Sequence, residues 1–391
     1  MNGSPEPRRD LRVHDGPLPE AELAALCDLA GLASISPWRL RRLLWHHPPG
    51  EAWAQLRSGG AVHPAVARAL EPATVAALRQ QAGRARPGAV LDRCRQLGID
   101  VLALSDPRYP APVRPDAEAP VVLFTLGHLG AVGARRAGVI GTRNATAAGR
   151  ATAADLGEGL ATAGVTVVSG LARGIDGAAH RGVRSAAGAG RALGVVANGL
   201  DHPYPRQHTD LWKWVGEGGL LVSEWAPGTL PEAWRFPLRN RILAALSEVL
   251  VVVESRDRGG SLITVEAASN RGVPVMAVPG SVRSSASDGT NTLLDQGAQT
   301  VRSADDVLVA LGLATARSQQ LPFDPRPAPD EFQQRLLDLC DARPCTLDML
   351  AVGLECSPSD AALGAFRLAR NGWLTEVGGW FEPVGSRLLG A

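Results

Sequence analysis

Apolar residues follow two different rhythms along this chain. Between residues 19 and 95 they recur at helical spacing, in Leu23, Leu26 and Leu29 and again in Leu40, Leu43 and Leu44. Leu18-Pro19-Glu20-Ala21-Glu22-Leu23 places acids where a helix start favours them. These features predict a small helical N-terminal domain over 19–95. From residue 96 the texture changes to brief apolar runs separated by glycine turns and Ala-rich helical stretches. The runs are Gly138-Val139-Ile140, Val165-Thr166-Val167-Val168, Leu193-Gly194-Val195-Val196, Gly219-Leu220-Leu221-Val222, Val249-Leu250-Val251-Val252-Val253 and Val273-Pro274-Val275-Met276-Ala277-Val278. Strands buried on both faces have this continuous apolar character, and the alternation with helices is the βαβ rhythm of a parallel sheet. An extended Rossmann-like domain is therefore expected over 96–313, with Val101 to Thr125 adding irregular structure and an edge extension.

The remaining segments read differently. Residues 1–18, rich in proline and charge, suggest a disordered leader without a secretory signal. Residues 314–329 are polar and proline-rich, as a linker is. Residues 330–391 suggest three helices (Glu331–Asp341, Thr346–Leu354, Ser359–Asn371) and a hairpin turning at Gly378-Gly379, a winged-helix-like pattern. The fold class expected is α/β, with an extended Rossmann-like parallel sheet flanked by a helical (SAM/HhH-like) domain and a winged-helix-like one.

Composition narrows the function classes. No apolar stretch is long enough for a transmembrane helix. The five cysteines are scattered without a C-x-x-C pair, which fits reduced thiols of a cytoplasmic protein better than a disulfide scaffold or zinc site. Net charge is only +1, yet Arg135 to Arg241 holds 13 basic and 8 acidic residues, a local balance of +5. Lys213 is the only lysine, and arginine offers a planar fork suited to phosphate.

Three loops share one design. Ile140-Gly141-Thr142-Arg143-Asn144-Ala145-Thr146, Ser169-Gly170-Leu171-Ala172-Arg173-Gly174-Ile175-Asp176 and Glu254-Ser255-Arg256-Asp257-Arg258-Gly259-Gly260-Ser261-Leu262-Ile263-Thr264 each follow a strand and open a helix. At the carboxyl edge of a parallel sheet such loops offer free N–H groups and the positive helix end to an anion. Hydroxyls of Thr142, Ser169, Ser261 and Thr264 add donors. A fourth segment, Trp234-Arg235-Phe236-Pro237-Leu238-Arg239-Asn240-Arg241, joins arginines to an amide and an aromatic ring. Arginine suits phosphate, Asn240 a base edge and Phe236 a base face. The competing expectation is that Phe236 is core and one arginine pairs with Glu254. Asp176 and His180, one helical turn apart, suggest a loop cap and an internal hydrogen bond, with a metal site as the weaker alternative. No G-x-x-x-x-G-K-[ST] is present, the first loop lacks a full G-x-G-x-x-G, and no acid follows it at ribose-binding distance, so nucleotide cofactors are disfavoured.

These residues closely resemble the DNA-processing protein A (DprA/Smf) family in order and spacing. Gly141-Thr142-Arg143, Ser169 to Asp176 with His180, Gly199-Leu200-Asp201 with Tyr204-Pro205, Ser223-Glu224, Phe236 to Arg241, Gly260-Ser261-Leu262-Ile263-Thr264 and Val278-Pro279-Gly280 carry the likeness across roughly Asp106 to Val301. The resemblance implies a non-enzymatic binder of single-stranded DNA in natural transformation, without a cofactor, that protects strands and helps load the RecA recombinase. It implies a homodimer through about 276–298. The implied DNA site is Arg143, Ser169, Gly170, Arg173, Phe236, Arg239, Asn240, Arg241, Gly260, Ser261 and Thr264. The chain departs from the family where Gly259 replaces a usual serine and where Arg271-Gly272-Val273-Pro274 precedes the last long strand. The third C-terminal helix carries only Arg367 and Arg370 with Asp360, which is thin for duplex DNA. The rival reading is a nucleoside-monophosphate phosphoribohydrolase-like enzyme using Gly259-Gly260, Thr264 and Glu266.

Overall fold

The computed structural model describes residues 16–60, 63–313 and 326–384, so most of the expected leader and linker lie outside it. The chain divides into two compact units, Met1–Ala314 and Thr315–Ala391. The first opens with six helices, α1 (Glu20–Ala30), α2 (Pro37–Leu44), α3 (Pro49–Ser58), α4 (Pro64–Ala69), α5 (Pro72–Arg84) and α6 (Ala89–Gln96). Proline opens α2, α3 and α5, where its missing N–H costs no hydrogen bond. Ser36 caps α2 by accepting from the Arg39 N–H.

Next come β1 (Asp100–Ala103), β2 (Val122–Gly127), β3 (Arg136–Ile140), α7 (Ala147–Thr162), β4 (Thr166–Ser169), α8 (Ile175–Ser185), β5 (Ala192–Val196), α9 (Thr209–Gly218), β6 (Leu220–Ser223), α10 (Arg235–Leu246), β7 (Val249–Val252), α11 (Ser261–Ser269), β8 (Val275–Ala277), α12 (Asp288–Asp295), β9 (Gln299–Thr300) and α13 (Ala304–Ala310). The nine strands lie in the order β1-β2-β6-β5-β4-β3-β7-β8-β9. Pairing from β6 through β9 is parallel, while β1 and β2 add an antiparallel edge. All six apolar runs became parallel strands. The stretch expected to add irregular structure and an edge extension contributes β1 and β2, the antiparallel end of the sheet. β1 pairs with β2, and the partner of β2, β6, is far away in sequence, so local pattern did not reveal that pairing.

Both faces of the sheet are covered, which is why its strands are apolar throughout. One face packs Leu156 and Leu160 of α7, Val183 of α8 and Val307 of α13 in a core continuous with Leu26 and Leu43 of the N-terminal helices. The other packs Ile242 and Leu243 of α10 with Ala268 of α11. An ion pair of 2.5 Å from Arg93 to Asp201 also ties α6 to the segment after β5.

The second unit holds α14 (Glu331–Ala342), β10 (Cys345–Thr346), α15 (Leu347–Leu354), α16 (Pro358–Arg370), β11 (Leu374–Val377) and β12 (Trp380–Pro383). Its three strands lie in the order β10-β12-β11 over Leu336, Leu350, Leu368 and Phe381. The hairpin turns at Gly378 and Gly379, both with positive φ, and β10 is the strand that local pattern did not predict. Among the described residues no helix is long and apolar enough to cross a membrane.

Candidate nucleic-acid interface

Strand order creates the site. The chain runs outward from β3 to β4, β5 and β6, then returns to place β7 on the other side of β3. The loops after β3 and β7 flank this switch point, where ligands bind open α/β sheets, and the loop after β4 lies beside them.

The three helix starts are not equivalent. At α7, Thr146 caps the Gly149 N–H at 2.9 Å, and the Glu254 carboxylate accepts from Thr146 N–H at 2.9 Å and Thr146 Oγ1 at 2.5 Å. At α8, the Asp176 carboxylate accepts from Gly170 N–H at 3.1 Å. Burial raises the Asp176 pKa, against the opposing pull of the Arg239 charge and of backbone N–H groups. Two helix starts thus already hold a carboxylate of the chain itself. Only α11 has neither a side-chain cap nor a first-turn acid. It is the helix start suited to an incoming anion.

Two adjoining cavities open here, of about 320 and 540 Å³. Arg143, Ala172, Tyr204, Phe236 and Arg239 line both. Arg173 and Gly170 line the smaller one, and Asn240, Gly259, Gly260, Ser261 and Thr264 the larger. The Arg143 guanidinium lies 4.7 Å from the Phe236 ring centroid, and the Tyr204 and Phe236 rings are 5.6 Å apart. Arg143 and Arg173 are exposed, and among the described residues neither is paired with a carboxylate. Phe236 is half-buried and lines both cavities, so the reading of it as core does not hold. Tyr204, a residue of the motifs but not of the expected DNA site, lines both cavities. It reaches the cavity from the long segment after β5.

Arg239 is placed differently from expectation. It is buried, and its guanidinium donates to Gly170 O at 3.1 Å, to Val195 O and, through Nε, to Asn240 Oδ1 at 3.1 Å. Burial lowers its pKa to about 10, and Arg143 nearby pushes the same way, so it remains a cation at neutral pH. A Cβ at Gly170 would collide with this guanidinium, which explains the glycine. The same loop is held at Leu171, whose backbone lies in the left-handed region (φ 54°) and whose carbonyl meets His208 Nδ1 at 3.0 Å. Such strain persists only where surrounding contacts fix it.

Two residues of the expected DNA site do not line the cavities. Ser169 is buried and donates to Val139 O at 2.6 Å. Arg241 forms a two-pronged ion pair with Glu224, at 2.6 and 2.8 Å, and donates to Glu118 O at 3.2 Å. Neither arginine of the cluster takes the expected pairing with Glu254: Arg239 donates to backbone carbonyls and Asn240, and Arg241 pairs with Glu224. Asn240 lines the larger cavity, and its Oδ1 accepts from Arg239 Nε. At Gly259 a Cβ would stand 2.5 Å from Ser255 Oγ, the atom to which Ser261 donates at 2.9 Å. The room a serine would need at 259 is taken by that hydroxyl pair. Glu266 is exposed on α11 and lines neither cavity, which removes the acid the hydrolase reading needs.

His180 sits completely buried on α8. Backbone groups of Val167 and Leu193 lie nearest its ring, but neither nitrogen completes a well-formed hydrogen bond. Burial pulls its pKa down to about 4 from 6.5. The unfolded chain therefore takes a proton that the folded chain refuses. Stability is full above pH 6.5 and falls as pH drops towards 4, by on the order of 3 kcal/mol. Denaturation midpoints at pH 7 and 4.5 should show this loss, and His180→Asn should flatten it; an unchanged acid slope in that variant would contradict the assignment.

The DNA recombination-mediator protein A profile matches residues 100–312, more than half of the chain. The chain belongs to that family. The DNA recombination-mediator A relatives include the DNA processing protein DprA of Bacillus subtilis, 39% identical over 223 residues, covering 57% of this chain and 74% of the relative. A putative DNA processing protein DprA of Mycobacterium tuberculosis is 40% identical over 274 residues, covering 68% and 69%. The crystal structure of DNA processing protein A from Streptococcus pneumoniae superposes with a TM-score of 0.61 at 30% identity, covering 75% of this chain and 98% of that one. The matched span contains every cavity residue described above. The names of the family and of these relatives are those of DNA recombination and DNA processing.

Proposed function

We propose that the chain binds single-stranded DNA in the paired cavities, with Arg143, Arg173 and the start of α11 on phosphates and Phe236, Tyr204 and Asn240 on bases. The observation that carries this reading is the juxtaposition of unpaired, exposed arginines with a half-exposed ring pair in one crevice. Phosphate donors alone would suit any anion. Ring faces beside them suit a polymer whose bases are unstacked, which a duplex does not offer. Arg239, with Asp176, is the internal support of this surface and not a phosphate contact.

In this reading the protein works in the cytoplasm, protecting strands taken up in natural transformation and helping to load the RecA recombinase, as a homodimer through about 276–298. The sheet ends on that side in the two-residue, exposed strand β9, which leaves an edge for a second copy. A competition titration tests the DNA reading: a labelled oligothymidylate is displaced by unlabelled single-stranded or duplex DNA. Single strands should compete at least roughly tenfold better, with affinity falling as salt rises. Equal competition by the duplex would overturn it.

A further inference from the structure

The segment between β6 and α10 contains an aromatic arrangement that the cavity does not use. Trp225 is buried and Trp234 is 45% exposed; their rings are 6.0 Å apart at 52°. The Arg235 guanidinium packs against both, 5.7 Å from the Trp225 centroid and 4.9 Å from that of Trp234. Arg235 itself is buried, donates to Leu230 O and pairs with Glu232 at 3.2 Å. Glu232 also accepts from Trp234 Nε1 at 2.5 Å. Trp234 is therefore an exposed indole held by a cation and by a hydrogen bond at its edge. Anchoring the segment does not require this exposure, because Trp225 already provides a buried anchor.

Position gives the exposed ring an occupant. Residues on either side of it, Pro231 and Ala233 before and Phe236 and Pro237 after, line the larger cavity. Leu230, Leu238 and Ile263 are exposed nearby in sequence or on the same cavity lining. Of the two carboxylates in the segment, Glu232 is engaged by Arg235 and Trp234 and Glu224 by Arg241. An apolar rim with its acid neutralised, continuous with a crevice of phosphate donors, suits a base face better than another phosphate.

We propose that Trp234 is a second stacking platform, which takes a base of the same strand beyond the one held at Phe236. This rests on the reading of the cavities as a single-stranded DNA site. The full chain is titrated with oligothymidylates lengthened one nucleotide at a time, from about three to about twelve. Trp234→Ala should leave the shortest oligomers unaffected and weaken the longer ones by about tenfold, erasing one step of the length dependence. Trp234→Phe should keep that step, since a ring remains, and guards against a loss due only to misfolding. A Trp234→Ala curve that superposes on the parent, or one displaced equally at every length, overturns the second platform. The reading of the cavities fails separately, if Arg143→Ala leaves affinity unchanged at every length.

Discussion

Arg239→Ala is expected to lose about 3–5 kcal/mol of stability, the cost of breaking a buried charge arrangement by removing one partner. Gly170 O and Val195 O would lose their donor, and Asp176 would remain buried without the cation that counters its desolvation. The melting temperature should fall by on the order of 10 °C, and DNA binding should fall with it. Arg239→Lys restores charge without the planar fork and should recover only part of the loss. A variant that kept parental stability and lost only DNA affinity would place the guanidinium on the ligand instead.

Removing Arg143 and Arg173 together should do the reverse. Both side chains are exposed and carry no carboxylate partner among the described residues, so the fold loses little. Each charge-assisted phosphate contact is worth about 1.5–3 kcal/mol, so single-stranded DNA affinity should drop by at least roughly a hundredfold in low salt. Equal melting curves beside that drop separate these two residues from Arg239, which lies only one side chain deeper in the crevice.

Sequence pattern revealed the parallel sheet because strands covered on both faces are apolar at every position, as Val249 to Val253 is. It revealed the glycine loops because turn chemistry is local. The edge extension was legible but its antiparallel strand pairs were not, since β1 and β2 are joined by a proline-rich connection and β2 pairs with distant β6. Within the site, Arg143, Arg173, Phe236 and Asn240 face the crevice, whereas Ser169, Arg239 and Arg241 are spent on the protein itself. Nothing local distinguishes Arg239 from Arg241; Val195 on β5 and Glu224 just after the neighbouring β6 decide where each one goes. The three loops looked alike for a related reason. A sequence shows a helix start but not the carboxylate that reaches it from elsewhere, and Glu254 reaches α7 from the end of β7.

Salt dependence of single-stranded DNA affinity tests the central claim most directly. Binding constants for the parent chain and for the Arg143→Ala, Arg173→Ala double variant are measured over a salt series and plotted logarithmically. Each phosphate contact on a single strand contributes a slope of about −0.7, so the double variant should be shallower by about 1.4. Parallel lines for the two proteins would show that neither arginine touches the backbone and would contradict the assignment of this crevice to the strand.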